Sequence, residues 1–354
     1  MKVKLAILDS DINYLKRLLS VFSTKYSDKL EVYSFTDQER ALDALNVEKI
    51  DVFIADESFI IDERRVGQKC AFAYFVASPD IQKLNDQTAI CKFQKADLIH
   101  KAILNLFSER AGNLAVMKVM GNEAEMIVFT SPCGGTGTSC VAAAYAARMA
   151  QQGKRALYLN LEKISTANVF FHGEGAFSMS DVIFALKGKK TNMALRLESC
   201  VKCDPCGVYY FEPAKVALER LELTGEEEAE LIAALRASGS YDVVVVDIDF
   251  EISDSMIALY EQADRVIWVS DGTQTANAKI EGAYAALRII EKGKRHDFFG
   301  KLNLLYNKFS NKTGCLVACP GLSDVGGVPK LERAMCAQVL DYLKNQAVLD
   351  NIHG

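Results

Sequence analysis

Short apolar runs recur along the chain, separated by stretches in which apolar residues fall three and four apart. In the first hundred residues the runs Leu5–Leu8, Glu31–Phe35, Val52–Ala55, Ala73–Ala77 and Ala89–Phe93 predict strands, while Tyr14–Phe22, Glu39–Leu45 and Asp97–Phe107 have helical spacing. Five β-α units in alternation predict a small doubly wound parallel sheet. The pattern breaks at Ser108-Glu109-Arg110-Ala111-Gly112-Asn113. A longer series then predicts strands at Met126–Thr130, Ala156–Leu159, Val208–Phe211, Val243–Val246, Val266–Val269 and Leu302–Tyr306, with helices at Ser139–Gln152, Glu226–Ala237, Thr275–Glu291 and Pro329–Lys344. The unbroken Val243-Val244-Val245-Val246 suits a central parallel strand covered on both faces. The expected architecture is two α/β domains, each a doubly wound parallel sheet, at 1–110 and 125–354 with a linker at 111–124.

Composition agrees with two domains. The chain has 354 residues, half of them apolar and a quarter charged, which suits a folded protein and excludes a disordered one. A net charge of −5 leaves no basic footprint for nucleic acid, so none is predicted as partner. No apolar run reaches the roughly 20 residues that span a bilayer, and Met1 leads straight into a strand rather than a signal core, so a cytoplasmic location is expected. In that reducing compartment the ten cysteines read as core thiols or metal ligands rather than disulfides.

The richest chemistry lies after the first strand of the second series, in Ser131-Pro132-Cys133-Gly134-Gly135-Thr136-Gly137-Thr138-Ser139-Cys140. A buried strand, three glycines and a helix N-terminus make a phosphate cradle, because glycines let backbone N–H groups converge and the helix dipole favours an anion. The order matches a P-loop, except that Thr138 stands where the phosphate-binding lysine belongs. Ser139 places a hydroxyl at the first helical turn, where it can bind Mg2+ beside polyphosphate. Asp247 ends a buried strand at its carboxyl end, where open α/β sheets bind their ligands. Glu162 stands near enough in the pattern to orient a water, and Asp249 and Asp254 read as solvated loop charges. The spacing is not the Gly-x-Gly-x-x-Gly of a dinucleotide-binding turn.

This turn resembles the deviant Walker A motif of the MinD/ParA ATPases, with Cys133 at the signature lysine and Thr138 at the second lysine. Tyr158-Leu159-Asn160-Leu161-Glu162 resembles that family's Asp-x-Asp switch segment, and Tyr241-Asp242-Val243-Val244-Val245-Val246-Asp247 its Walker B strand. Gly207-Val208-Tyr209-Tyr210-Phe211-Glu212-Pro213-Ala214 resembles the strand and Pro-Ala turn between them, and Leu305-Tyr306-Asn307-Lys308 the strand end whose asparagine reads adenine. The resemblance implies a P-loop NTPase fold that binds ATP through Cys133 to Cys140 with Asn307 and Lys308. Mg2+ would be held by Ser139 and Asp247, and Glu162 is the catalytic candidate. Without either lysine, binding is expected to survive and hydrolysis to be weak or absent, since a trans-acting cation is worth roughly 10³ to 10⁵ in rate. Lys163 and Lys330 are the nearby cations that would compensate.

In the first domain Asp9-Ser10-Asp11 ends the first strand and Asp56 the third. This resembles the flavodoxin-like response-regulator receiver, with Asp56 at the phospho-acceptor position, Asp9 and Asp11 as its acidic neighbours, Ala77-Ser78 at the hydroxyl position and Lys92 at the lysine. Ser10 replaces one of the usual acidic pair, and the Met-Pro and Lys-Pro pairs are absent, so a pseudo-receiver used for docking is expected, with phosphorylation as the alternative. A receiver-like domain ahead of a lysine-poor MinD-like domain resembles the TadZ/CpaE family. The resemblance implies a homodimer that marks a cell pole and recruits Tad (Flp) pilus assembly and secretion proteins. The end Val339-Leu340-Asp341-Tyr342-Leu343-Lys344 lacks the basic face of MinD's membrane helix, so membrane association is expected only through partners. A rival function starts from Cys200, Cys203 and Cys206, thiols that with Cys315, Cys319 or His172 would form a zinc or iron–sulfur site.

Overall fold

The computed structural model describes residues 2–67, 70–110, 123–188, 193–294 and 298–352. The chain divides into two compact units, one built from Met1–Val116 and Gly188–Cys200, the other from Met117–Lys187 and Val201–Gly354. Most of the expected linker at 111–124 lies outside the described residues.

The first unit runs β1 (Val3–Leu8), α1 (Ile12–Lys25), β2 (Leu30–Phe35), α2 (Gln38–Val47), β3 (Val52–Asp56), β4 (Ala71–Val76), β5 (Lys83–Leu84), β6 (Gln87–Cys91) and α3 (Ala96–Arg110). Strand order is β2-β1-β3-β4-β6-β5, parallel except for the β5–β6 hairpin. This is the flavodoxin-like order, whose ligands sit at the carboxyl ends of β1 and β3. Asp11 starts α1 by accepting the backbone N–H groups of Asn13 and Tyr14, and Leu15, Leu18 and Phe22 then turn one face to the sheet. The expected five β-α units are not all present. Between β4 and β6 the Pro79-to-Asp86 stretch forms a hairpin instead of a helix, closing on Asn85 and Asp86 with positive φ, as a tight two-residue turn requires.

The second unit continues with β7 (Glu125–Thr130), α4 (Thr138–Gln151), β8 (Ala156–Asn160), α5 (Ala167–Phe170) and α6 (Met179–Gly188). The next helix, α7 (Met193–Cys200), packs along α3 and belongs to the first unit, where Leu195 joins the core around α1 and α3. It lies within 125–354, the range expected for the second domain. The second unit resumes with β9 (Lys202–Cys203), β10 (Tyr209–Tyr210), α8 (Ala217–Leu221), α9 (Gly225–Ala237), β11 (Val243–Asp247), α10 (Asp254–Gln262), β12 (Arg265–Ser270), α11 (Gln274–Lys294), β13 (Leu302–Phe309), β14 (Ser323–Pro329) and α12 (Cys336–Lys344).

Its sheet has the order β14-β13-β12-β7-β11-β8-β10-β9, parallel but for the β9–β10 edge pair. In β11 every residue is buried, as its unbroken valine run requires. Register sets Asp247 beside Phe129 of β7 on one flank and Asn160 of β8 on the other, so the carboxyl ends of the three central strands finish level. Behind them α4 buries Val141 through Ala147 without a break. Its alanines allow the close approach of α12 on one side and the sheet on the other. Leu343 of α12 and the following Leu349 and Ile352 enter this same core, and Arg148 of α4 pairs with Asp350 and donates to the Lys344 carbonyl at 2.8 Å.

Candidate functional site

In the second unit, β7 ends in Thr130 and the glycine turn carries the chain into α4. Gly135 and Gly137 have φ of +80° and +83°, a conformation that glycine adopts without strain. Gly137 caps α4 with no side-chain bond, which leaves the helix N-terminus to a ligand. A side chain at Gly134 or Gly135 would meet nothing within 4 Å, so the space above the turn is open. At Gly137 the opposite holds: an added Cβ would lie 2.6 Å from Nδ2 of Asn307.

That contact defines what Asn307 and Lys308 do here. The buried Asn307 amide donates to the Thr136 carbonyl at 2.8 Å, and Nζ of Lys308 donates to the Gly135 carbonyl at 2.8 Å. Both tie the end of β13 to the backbone of the turn. The adenine-reading role that the resemblance implies for Asn307 falls on a residue whose Nδ2 already donates to the Thr136 carbonyl.

Beneath the turn, six side chains form one network. Ser139 donates to Oε1 of Glu162 at 3.1 Å, and Asn160 donates to Oε2 of Glu162 at 2.8 Å and to Oδ2 of Asp247 at 3.0 Å. The hydroxyl of Tyr158 donates to the same Asp247 oxygen at 2.6 Å. Thr166 adds a bond to Glu162 at 3.3 Å. Asp247 is 1% exposed, and burial followed by the Glu162 charge pushes its carboxyl up to about 7. Burial raises the Tyr158 phenol well above its ordinary value, which keeps it a donor. Two carboxylates and a serine hydroxyl thus gather at a helix N-terminus, a donor set that suits Mg2+ with a polyphosphate. Sequence reasoning missed Tyr158, because a tyrosine inside an apolar strand reads as packing.

Neither expected lysine position projects a polar arm from the turn. Cys133 is buried, its thiol 3.4 Å from the Ser131 hydroxyl, and burial raises its pKa. The Thr138 hydroxyl pairs with that of Thr136 at 3.1 Å. Cys140, on the first turn of α4, has its thiol pushed up to about 11, chiefly by burial. Asp249 accepts the Lys163 backbone N–H at 2.7 Å and lies outside the network. Lys163 reaches Glu251 at 3.9 Å and Lys330 reaches Glu332 at 3.2 Å, both on the exposed surface.

Cys200 is buried, whereas Cys203 and Cys206 are exposed, and the His172 backbone N–H donates to Asp204 at 2.7 Å. Cys315 is exposed and Cys319 partly so. Among the described residues no three His, Cys, Asp or Glu side chains are grouped to hold a metal ion.

In the first unit, register brings Leu8 beside Ala55, so the chain just after β1 lies next to the end of β3. Asp9 is fully buried and Asp56 is 5% exposed, and between them lies the Lys92 ammonium, 3.2 Å from Asp9 and 2.6 Å from Asp56. Burial alone would raise the Asp56 carboxyl, but bonds from Lys92 and from Ser58, at 2.6 Å through its hydroxyl, outweigh it and hold the group below the usual carboxylate range. Asp11 is spent on the cap of α1. Ser78 turns toward Asp80 at 3.5 Å rather than toward Asp56.

Residues 1–108 match the family model for the receiver domain of TadZ-like proteins. Among solved structures, the ParA family ATPase from Chlorobium tepidum is similar at TM-score 0.51 with 16% identity, over 66% of this chain and 97% of its own. The MinC:MinD cell division complex of Aquifex aeolicus aligns at TM-score 0.48 with 18% identity, over 65% of this chain and 94% of the matched one. No curated protein matches the chain. The likeness to the ParA family ATPase is one of fold. Among the described residues no helix is long and apolar enough to cross a membrane.

Proposed function

We propose that the chain is an ATP-binding switch of the TadZ/CpaE type, which dimerises, localises at a cell pole and recruits Tad pilus assembly and secretion proteins, with weak or no hydrolysis. The observation that carries the nucleotide reading is the network of Ser139, Glu162 and Asp247 under an open glycine turn with an uncapped helix N-terminus. Burying Asp247 beside Glu162 is unfavourable unless a proton or a cation offsets the charge, and Mg2+ supplies that offset together with phosphate. The turn from Gly134 to Ser139 would cradle the phosphates, Ser139 and Asp247 would hold Mg2+, and Glu162 would orient a water or release Ser139 to the ion.

Slow turnover follows from the cation count. Phosphoryl transfer depends on positive charge placed at the transferring group. Cys133 is a buried thiol and Thr138 is neutral, so the turn itself supplies backbone and hydroxyl dipoles but no cation, and the Lys308 ammonium beside it is bonded to the Gly135 carbonyl. A protein that binds ATP and hydrolyses it slowly holds one state for long periods, which suits a positional mark. The pole, the dimer and the Tad partners rest on the family whose model residues 1–108 match. Titration of ATP with and without Mg2+, beside steady-state turnover, tests the reading: Mg2+-dependent binding with little phosphate release supports it, and failure to bind overturns it.

A further inference from the structure

On the second unit, α9 and α10 enclose a groove of about 590 Å³. The two helices approach closely where a Cβ on Gly225 would lie 2.6 Å from Cβ of Ser255. The floor is apolar, from Ala229, Ile232, Met256 and Leu259, and it extends to Ile248, the residue that follows Asp247. The mouth carries Glu226, Glu228 and Glu251, and among the described residues no lysine, arginine or histidine lines it.

We infer that this groove docks a cationic amphipathic segment of a partner protein, whose apolar face enters between α9 and α10 while its Lys or Arg residues meet Glu226 and Glu251. Charge decides between occupants. Glu228 is already paired with Arg220, so an acidic segment or an anionic lipid surface would face Glu226 and Glu251 with only Lys163, 3.9 Å from Glu251, to offset them, whereas a basic segment gains on both counts. Glu226 and Glu251 are exposed, and Glu251 accepts the Ser253 hydroxyl at 2.6 Å and has Lys163 at 3.9 Å.

The groove also reaches the nucleotide network. Glu228 is held by Nη1 of Arg220 at 2.7 Å, while Nη2 of the same arginine donates to the Leu161 carbonyl at 2.5 Å. Arg220 is 8% exposed and its Nε has no partner. Leu161 precedes Glu162, and its own N–H bonds the Asp247 carbonyl at 2.7 Å. A cation arriving at the mouth competes with Arg220 for Glu228 and loosens the segment that carries Glu162. Docking itself requires no nucleotide, so it stands apart from the proposed ATP binding.

The test uses the full chain without nucleotide and two labelled helical peptides that share one leucine pattern, one with Lys and one with Glu at every polar position. Fluorescence anisotropy is expected to show the Lys peptide binding at least about tenfold tighter than the Glu peptide, with that preference lost in the Glu226→Lys/Glu251→Lys variant. Both positions are exposed, and circular dichroism checks that the fold is kept. Hydrogen exchange is expected to slow in α9 and α10 and to quicken at residues 160–163 when the Lys peptide binds. Equal binding of both peptides, protection elsewhere, unchanged binding by the variant, or self-association through this face in sedimentation would each overturn the inference.

Discussion

The Lys92 ammonium lies 2.6 Å from the Asp56 carboxylate, with the two side chains only 13% and 8% exposed. It holds the centre of an acidic pocket in which Asp11 is committed to capping α1 and Ser78 to Asp80. The pocket is therefore satisfied without a metal or a phosphoryl group. Incubation with acetyl phosphate and Mg2+ is expected to leave the intact mass unchanged, and a gain of one phosphoryl group would restore the signalling alternative.

The same pair makes a stability prediction. Lys92→Ala removes one partner and leaves two buried carboxylates, a loss of about 3 kcal/mol in urea unfolding at neutral pH. Asp56 is held below its ordinary value, so its contribution is complete above an unfolded pKa of about 3.9 and is lost as pH falls through the lower folded value. Lys92 is raised despite its burial because of Asp56 and Asp9, so its contribution is complete below about 10.4 and is lost as pH rises through the higher folded value. The difference between wild type and variant is thus expected to be flat across neutral pH and to shrink at both extremes.

Asp247 behaves in the opposite sense. Its folded carboxyl titrates at about 7 against about 3.9 unfolded, so the fold keeps a proton that the unfolded chain has lost, and stability falls as pH rises between those values. Without nucleotide, Asp247→Asn is expected to raise Tm at pH 8 and to change it little at pH 5. The variant is also expected to lose the tightening of ATP by Mg2+. A variant that is less stable than wild type at pH 8 would contradict this account of the buried carboxylate.

The end of the chain is expected to be structural. Leu349 is 1% exposed in the core that α4 and α12 share, so Leu349→Ala is expected to cost about 2 to 5 kcal/mol in denaturant unfolding. A change below about 0.5 kcal/mol would mean that the segment does not pack on α4 in solution.

Much of this arrangement is legible in the residues. The strands are, because buried parallel strands are written as unbroken runs such as Val243–Asp247, and their carboxyl ends predict where Asp247 must sit. β14 escapes, since Ser323-Asp324-Val325-Gly326-Gly327-Val328-Pro329 has the composition of a turn and becomes a strand only by pairing with β13. α12 starts at Cys336 rather than near Pro329, because the charged Lys330-Leu331-Glu332-Arg333 stretch, with Arg333 at positive φ, interrupts the helix that spacing suggested. In the site, Ser139, Glu162 and Asp247 are readable from position. Tyr158 and the inward turn of Asn307 are not, because both depend on which neighbouring atom is within hydrogen-bond reach.

The central claim is that Ser139, Glu162 and Asp247 serve Mg2+-bound ATP. Its most direct test is a calorimetric titration of ATP, with and without Mg2+, into wild type and Gly134→Val, a position where added side-chain atoms meet open space in the protein but would fill the phosphate cradle. The account expects binding by wild type that Mg2+ tightens at least about tenfold and that Gly134→Val abolishes. No heat of binding to wild type, or equal binding with and without Mg2+, would contradict it.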